Sequence, residues 1–497
     1  MLFPRVTNIT SMRPITSRHA RVCIPFTKKQ RMLALTRPHL AAIPPCKRKG
    51  PHLFSSAVST TLWFPPSMEP VTSAYLHLPF CRRRCHYCDF AISLVGDDVE
   101  SDVALQGMRR YVDFLIREIA LTPSTGDFDQ APLRTVFFGG GTPSLLPPEL
   151  LGRVIDALSE RFGIDTDAEI SMEMDPGTFD AEKLAHYVDL GVNRVSLGLQ
   201  SFDAEVLRWA GRGHTLEQSR AAIKAVRSNR GVKRWSLDLI SGMPGLTTKV
   251  WSDSLKEAID VTPHHISIYD LQVEEGTLFG TWYNASPRGK VGNNRTLSSN
   301  LDLRTPRLEL PSEEDSAEMF HMASETLQDA GYEHYEVSSY AKVGSRCTHN
   351  QVYWNGRQGW YGFGMSATSF TAHGRRLARP RKMRDYEAYV EAMLPFKGET
   401  MTCANATKLS SETRADALLE RLMLGLRKRD GVDLMHLQED FGAAVLAEII
   451  TAVCASWPEE LVEMDDKRLT LSDPDGMLVS TELISTLLAR VSSLHIP

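Results

Sequence analysis

Eight residues in a row, Cys81-Arg82-Arg83-Arg84-Cys85-His86-Tyr87-Cys88, put three thiols at positions i, i+4 and i+7. Thiolates are soft ligands that suit iron–sulfur clusters and zinc. A closed structural zinc site wants four ligands, usually as paired short spacings, and no second Cys-x-x-Cys or His pair follows at zinc-finger distance. Three thiolates on one tight loop can instead hold three irons of a [4Fe–4S] cube and leave the fourth open to another ligand. The competing reading is a zinc site completed by His77 or His86.

The loop follows the apolar run Ala74–Leu78, and that run opens a repeating pattern. Short β-branched or aromatic runs recur at Thr135–Phe138, Glu169–Met174, Arg194–Leu199, Ser236–Ile240 and His265–Leu271. Helical periodicity fills the gaps, first through Met108, Tyr111, Val112, Leu115, Ile116 and Ile119, then over Glu149–Phe162, Asp180–Leu190, Thr215–Ser228 and Thr248–Asp260. Strand–helix alternation of this kind predicts an α/β fold with a parallel sheet and right-handed crossovers.

The CxxxCxxC loop directly after a first strand resembles the radical S-adenosylmethionine (SAM) superfamily. That resemblance implies a partial (β/α)6 barrel, a [4Fe–4S] cluster on Cys81, Cys85 and Cys88, and SAM chelating the open iron. Further motifs sit at successive strand ends: Gly139-Gly140-Gly141-Thr142-Pro143, Glu173-Met174-Asp175-Pro176, Ser196-Leu197-Gly198-Leu199-Gln200 with Arg212 beyond it, and Asp238. Taken singly each is ordinary. Together they resemble the oxygen-independent coproporphyrinogen III oxidase and its relatives. By position in those motifs, Tyr75, Gly140, Gly141, Thr142, Glu173, Gln200, Arg212 and Asp238 are expected to contact SAM, with Tyr87 near its adenine.

Residues 71–280 are thus expected to form the barrel core, and 281–400 an extension with a polar inserted loop over 281–312. The extension should hold a helix over Ser316–Ala330 and a strand over Tyr335–Tyr340. It also holds His349-Asn350-Gln351-Val352-Tyr353-Trp354, which resembles a motif of the HemW, or haem-chaperone, branch. His349 is then an expected haem contact, with haem as cargo. Residues 401–497 are expected to be a small, mainly helical, winged-helix-like C-terminal domain. An apolar face from Ala415 to Leu426 gives its first helix, Asp433 caps a second and Ala444–Ala455 forms a third. A hairpin is expected to pair Arg468–Leu471 with Met477–Val479.

Charge separates the head from the rest. Residues 1–68 carry eleven Lys or Arg and no acid, whereas the remainder has 45 basic against 61 acidic residues. Such a head, rich in Ser, Thr and Pro, has the composition of a disordered organelle transit peptide over residues 1–70, mitochondrial or alternatively plastid. The competing readings are a basic tail, or an upstream extension before a start at Met68. The acidic body argues against nucleic acid as a partner, winged helix notwithstanding. Eight cysteines, five of them scattered outside the loop, are too few for a disulfide scaffold of this size, and no 18-residue apolar run predicts a membrane span, so any membrane association is expected to be peripheral, through a client.

Three functions compete: a porphyrinogen oxidase, a haem-binding chaperone, and an unrelated radical SAM enzyme. The oxidase pattern has a further cysteine two residues past the third, where this chain has Phe90. Glu69 also lies close before the first strand, leaving no ordered N-terminal arm to cover a porphyrinogen. The resemblance therefore implies a chaperone that delivers haem to organelle haemoproteins, with coproporphyrinogen oxidation as the alternative. It names no client and no electron donor.

Overall fold

A computed structural model describes residues 70–122, 131–283, 308–370, 375–393, 410–411 and 414–492. The expected transit peptide and most of the inserted loop lie outside the described residues.

Six parallel strands succeed one another as expected: β1 (Ser73–Leu78), β2 (Leu133–Gly140), β3 (Ile164–Met174), β4 (Arg194–Gln200), β5 (Arg234–Ser241) and β6 (His265–Asp270). Helices α1 (Asp102–Leu121), α2 (Pro148–Phe162), α3 (Ala181–Asp189), α4 (Leu216–Ser228) and α5 (Thr248–Asp260) connect them. Side-chain caps fix the starts of four of them: Ser101 on α1, Asp180 on α3, Thr215 with Gln218 in a capping box on α4, and Thr247 on α5.

The sheet is larger than six strands. After α6 (Leu278–Tyr283) and α7 (Glu313–Asp329), the chain adds β7 (Glu333–Glu336) and β8 (Ser339–Ala341) antiparallel beyond β6. The single strand expected over Tyr335–Tyr340 is therefore two, joined by a turn. Following α8 (Thr348–Asn355), β9 (Tyr361–Phe363) returns to lie parallel to β1 on its other side. The order is β9-β1-β2-β3-β4-β5-β6-β8-β7.

Alternation along each strand sorts side chains into two environments. Leu76, Val136, Phe138, Met172, Val195, Leu197, Leu237, Leu239 and Ile266 are buried in the apolar core. The intervening residues include Ser73, Tyr75, Thr135, Ser171, Glu173, Ser196, Ser236, Asp238, His265 and Ser267. They face one another, as the Ser236–Ser196–Asp238 and His265–Tyr335 hydrogen bonds record. The sheet thus wraps a polar interior.

Beyond β9 lie β10 (Thr368–Phe370), β11 (Arg375–Ala378) and α9 (Met383–Ala392), then a C-terminal region of α10 (Arg414–Gly425), β12 (Val432–Asp433), α11 (Leu434–Phe441), α12 (Ala443–Ser456), β13 (Val462–Met464), β14 (Arg468–Leu471) and α13 (Ser480–Val491). Asp433 caps α11 as expected, accepting from His436 N at 3.0 Å. The hairpin differs from expectation. Arg468–Leu471 pairs with Val462–Met464 before it, and Met477 lies in a helical turn over Asp475–Leu478. Asp440, almost fully buried, accepts from Arg357 at 2.7 Å and Arg421 at 3.1 Å, tying α11 to α10 and the end of α8.

Candidate functional site

Cys81, the first of the three thiols, lies three residues past the end of β1, and the loop is stitched down along its length. Ser93 N donates to Pro79 O at 2.7 Å and Val95 N to Cys81 O at 2.9 Å. Arg84 Nη1 caps the loop's far side, donating to the carbonyls of Cys88 at 3.0 Å and Phe90 at 3.1 Å. His86 N donates to Ala210 O at 2.9 Å, and Phe279 N, in α6, donates to His86 O at 2.9 Å. Backbone contacts to the segment after Trp209 and to α6 thus hold the thiols in place.

All three cysteines are free, Cys81 buried and Cys85 and Cys88 half-buried. Burial pushes the Cys81 thiol up to about 12, and burial beside Cys85 pushes Cys88 up to about 11. Without a cation such thiols keep their protons; a bound metal centre displaces them. The two histidines of the zinc reading are engaged elsewhere. His77 Nε2 lies 2.8 Å from Ala91 O and its Nδ1 3.2 Å from Tyr75 OH, while His86 Nδ1 lies 2.7 Å from Trp209 O. Among the described residues, no three His, Cys, Asp or Glu side chains form a group suited to a single metal ion. Three soft sulfurs on one loop fit an iron–sulfur cluster with one site left for another ligand.

The glycine run of β2 closes against this loop. Gly141 N donates to Leu78 O at 2.8 Å and Thr142 N to Phe80 O at 2.7 Å. A Cβ on Gly141 would sit 2.6 Å from the Pro79 carbonyl carbon, and Gly140, at φ +120°, has the His77 ring at the same distance. Only glycine allows that approach. Thr142 Oγ1 lies 3.4 Å from Cys81 Sγ, so the run and the first thiol form one wall.

Glu173 at the end of β3 accepts from Gly140 N at 3.1 Å. Gln200, ending β4, holds φ +71°, a left-handed conformation that costs a non-glycine residue about 1 kcal/mol or more. Its buried Oε1 has no partner. Asp238 on β5 accepts from Ser196 Oγ through both oxygens, at 3.1 and 3.0 Å, and burial, reinforced by Glu173, lifts its carboxyl to about 6. Tyr75, Tyr87, Gly141, Thr142, Glu173, Gln200, Arg212 and Asp238 are all half-buried, as the lining of a cleft should be.

Arg212 joins these pieces. Nη1 donates to Cys85 Sγ at 3.4 Å and Tyr87 OH at 3.0 Å, and Nη2 to Gly198 O at 2.7 Å and to Asp175 Oδ2. Its Nε is buried without a partner. Asp175 in turn meets His214 Nδ1 at 3.0 Å through its other oxygen. Burial acts to raise Asp175, but Arg212 and His214 outweigh it and hold the carboxyl below the ordinary range. Asp175 and His214 are absent from the residues the sequence singles out for SAM. The available signal was position: Asp175 is two residues past Glu173, and His214 two past Arg212.

His349 lies apart from this cleft. It is fully buried, with Nδ1 2.7 Å from Thr135 Oγ1 and Nε2 2.8 Å from Tyr353 OH, and its ring stacks on Phe137. Both nitrogens are engaged near the N-terminal end of β2, where neither can meet an iron without giving up a hydrogen bond. Burial lowers the imidazole to about 3. As it stands the ring is a strut of the barrel interior, with neither nitrogen free for the haem contact the motif leads one to expect.

Residues 75–258 match the radical SAM superfamily, and residues 413–478 match the HemN C-terminal domain. A protein of Synechocystis sp. called heme chaperone HemW is 38% identical over 440 residues, 84% of this chain and 97% of the relative. The chain belongs to the HemW family. A relative from Bos taurus, called radical S-adenosyl methionine domain-containing protein 1, mitochondrial, is 29% identical over 84% of this chain and 86% of its own length. The structure of Escherichia coli coproporphyrinogen III oxidase HemN, described as a radical SAM enzyme, superposes with a TM-score of 0.66. It covers 86% of this chain and 91% of that one at 21% identity, a likeness of fold. Radical SAM membership implies a [4Fe–4S] cluster and SAM, and the sulfur donors and strand-end groups of this HemW-family chain fit both.

Proposed function

We propose that the protein is a radical SAM-type [4Fe–4S] protein that binds haem and delivers it to organelle haemoproteins. The observation that carries this reading is the 38% identity, over 84% of this chain and 97% of the relative, to a protein called heme chaperone HemW. Cys81, Cys85 and Cys88 would ligate the cluster. Gly140, Gly141 and Thr142 would present backbone and hydroxyl to SAM. Glu173, Gln200 and Asp238 would accept or donate around its polar groups, and Arg212 Nε would meet an anionic one. Tyr75 and Tyr87 would pack beside it. When bound, the cluster supplies an open iron and an electron.

Coproporphyrinogen oxidation is the second reading, favoured by the shared fold with HemN. Against it stands Phe90, half-buried, with its carbonyl held by Arg84, where the oxidase pattern has a cysteine. His349 is the part of the haem proposal that the geometry supports least, so the axial ligand is sought elsewhere. An organelle is the proposed location. Relatives called mitochondrial support the mitochondrion, and the higher identity to a cyanobacterial protein, 38% against 29%, supports testing the plastid alongside. Imaging residues 1–70 fused to a fluorescent protein separates the two. Function is tested by anaerobic reconstitution followed by haem-transfer and decarboxylation assays on one sample.

A further inference from the structure

Cys85 is the one cluster-loop sulfur that receives a hydrogen bond from a cation, the Arg212 guanidinium. That guanidinium is buried, its side chain 8% exposed, and its direction is set by what holds it. Gly198 O and Tyr87 OH take one bond each. The charged anchor is Asp175, whose two oxygens are divided between Arg212 and His214. Asp175 is itself pinned, its N–H donating to Ser144 Oγ at 3.1 Å.

His214 is the telling member. Its side chain is fully buried, and Nε2 has no partner, so its one side-chain hydrogen bond is the bond to Asp175. Leaving a ring nitrogen buried and unsatisfied is destabilising. An apolar side chain would fill that space without the penalty, yet it could not orient the carboxylate. The backbone beneath the ring is fixed too, because Thr215 next to it is the N-cap of α4.

We propose that His214, acting through Asp175, is a positioning residue for Arg212, and that this relay sets the reduction potential of the cluster. A charge-assisted hydrogen bond onto a ligand sulfur stabilises the more negative, reduced state and so raises the potential. Asp175 alone would act the other way, as a nearby anion. Holding both of its oxygens turns that charge toward Arg212 and leaves the guanidinium facing the sulfur. The inference rests on the cluster reading given above.

The test uses the full chain, reconstituted anaerobically without SAM, with every variant measured at the same pH. Iron and sulfide per chain are measured first, then the midpoint potential by electron paramagnetic resonance. His214→Ala and Arg212→Gln should keep the iron and shift the potential downward. His214→Asn, whose side-chain amide can stand in for the Nδ1–H, should return it to the wild-type value. An unchanged potential in iron-replete His214→Ala overturns the relay. If His214→Ala does not load, His214→Leu fills the same space without the hydrogen bond and carries the same two outcomes. A wild-type chain that loads no iron overturns the cluster reading, and this inference with it.

Discussion

His349 Nδ1 sits 2.7 Å from Thr135 Oγ1, and the two residues are 214 positions apart in the chain. The contact fastens α8 to β2 inside the barrel, with Tyr353 OH closing the other nitrogen. Burial holds this imidazole near 3, against an ordinary value of about 6.5. The group is depressed in the folded state, so its contribution to stability is whole above about pH 6.5 and is lost as pH falls toward 3. By pH 5.5 the loss is about 1.4 kcal/mol. His349→Gln should be less stable than wild type at pH 7.5, and should lose less stability than wild type between pH 7.5 and 5.5. Parallel urea titrations at both values check this; equal losses would contradict the strut.

Glu118 on α1 is fully buried, accepting from Arg379 Nε at 2.7 Å, Tyr386 OH at 2.7 Å and Gly364 N at 2.8 Å. It ties the barrel's first helix to the segments on either side of β10 and β11. Glu118→Gln leaves the Arg379 cation buried without a counter-charge, a change worth roughly 3–5 kcal/mol. The urea midpoint should fall accordingly. A loss under about 1 kcal/mol would mean that water reaches the pair.

Asp238 has its carboxyl raised to about 6, chiefly by burial. A raised acid favours the folded state while protonated, below about pH 4, and that advantage is lost as pH climbs through 6. Ionised Asp238 therefore costs the protein up to about 3 kcal/mol at pH 8, a strain kept for the cleft. Asp238→Asn should raise Tm at pH 8, with the gain shrinking toward pH 5, while SAM affinity drops. An equal gain at both pH values would place its origin in packing.

Cys85→Ser should lose most of its iron and the visible absorbance of the cluster after reconstitution, since only three sulfurs are offered. It should remain folded by far-UV circular dichroism, because Cys85 is half-buried and outside the core. Full iron retention would assign the thiol a different role.

How much of this was legible beforehand depended on distance along the chain. The cysteine loop and the glycine run are local spacings, and the six strands announce themselves as β-branched or aromatic runs between helical periods. The Asp175–His214 contact joins two loops 39 residues apart, and no local period encodes it. Strand β9 is three residues long and pairs in parallel with β1, Tyr361 opposite Ala74 some 287 positions earlier, so no local period encodes its partner. The C-terminal hairpin went to Val462–Met464 because Asp475–Leu478 turns into helix immediately after β14. His349 illustrates the limit of a motif. Residue types beside aromatics suggested a haem contact, but burial and two satisfied nitrogens give the ring a structural task.

The central claim is haem delivery by a protein with a radical SAM centre, and one experiment bears on it most directly. The anaerobically reconstituted chain is loaded with haem and mixed with an apo-haemoprotein, and the same preparation is given coproporphyrinogen III, SAM and a reductant. Haem bound and passed to the acceptor, with no protoporphyrinogen formed, is the predicted result. Robust decarboxylation with no detectable haem binding would contradict it.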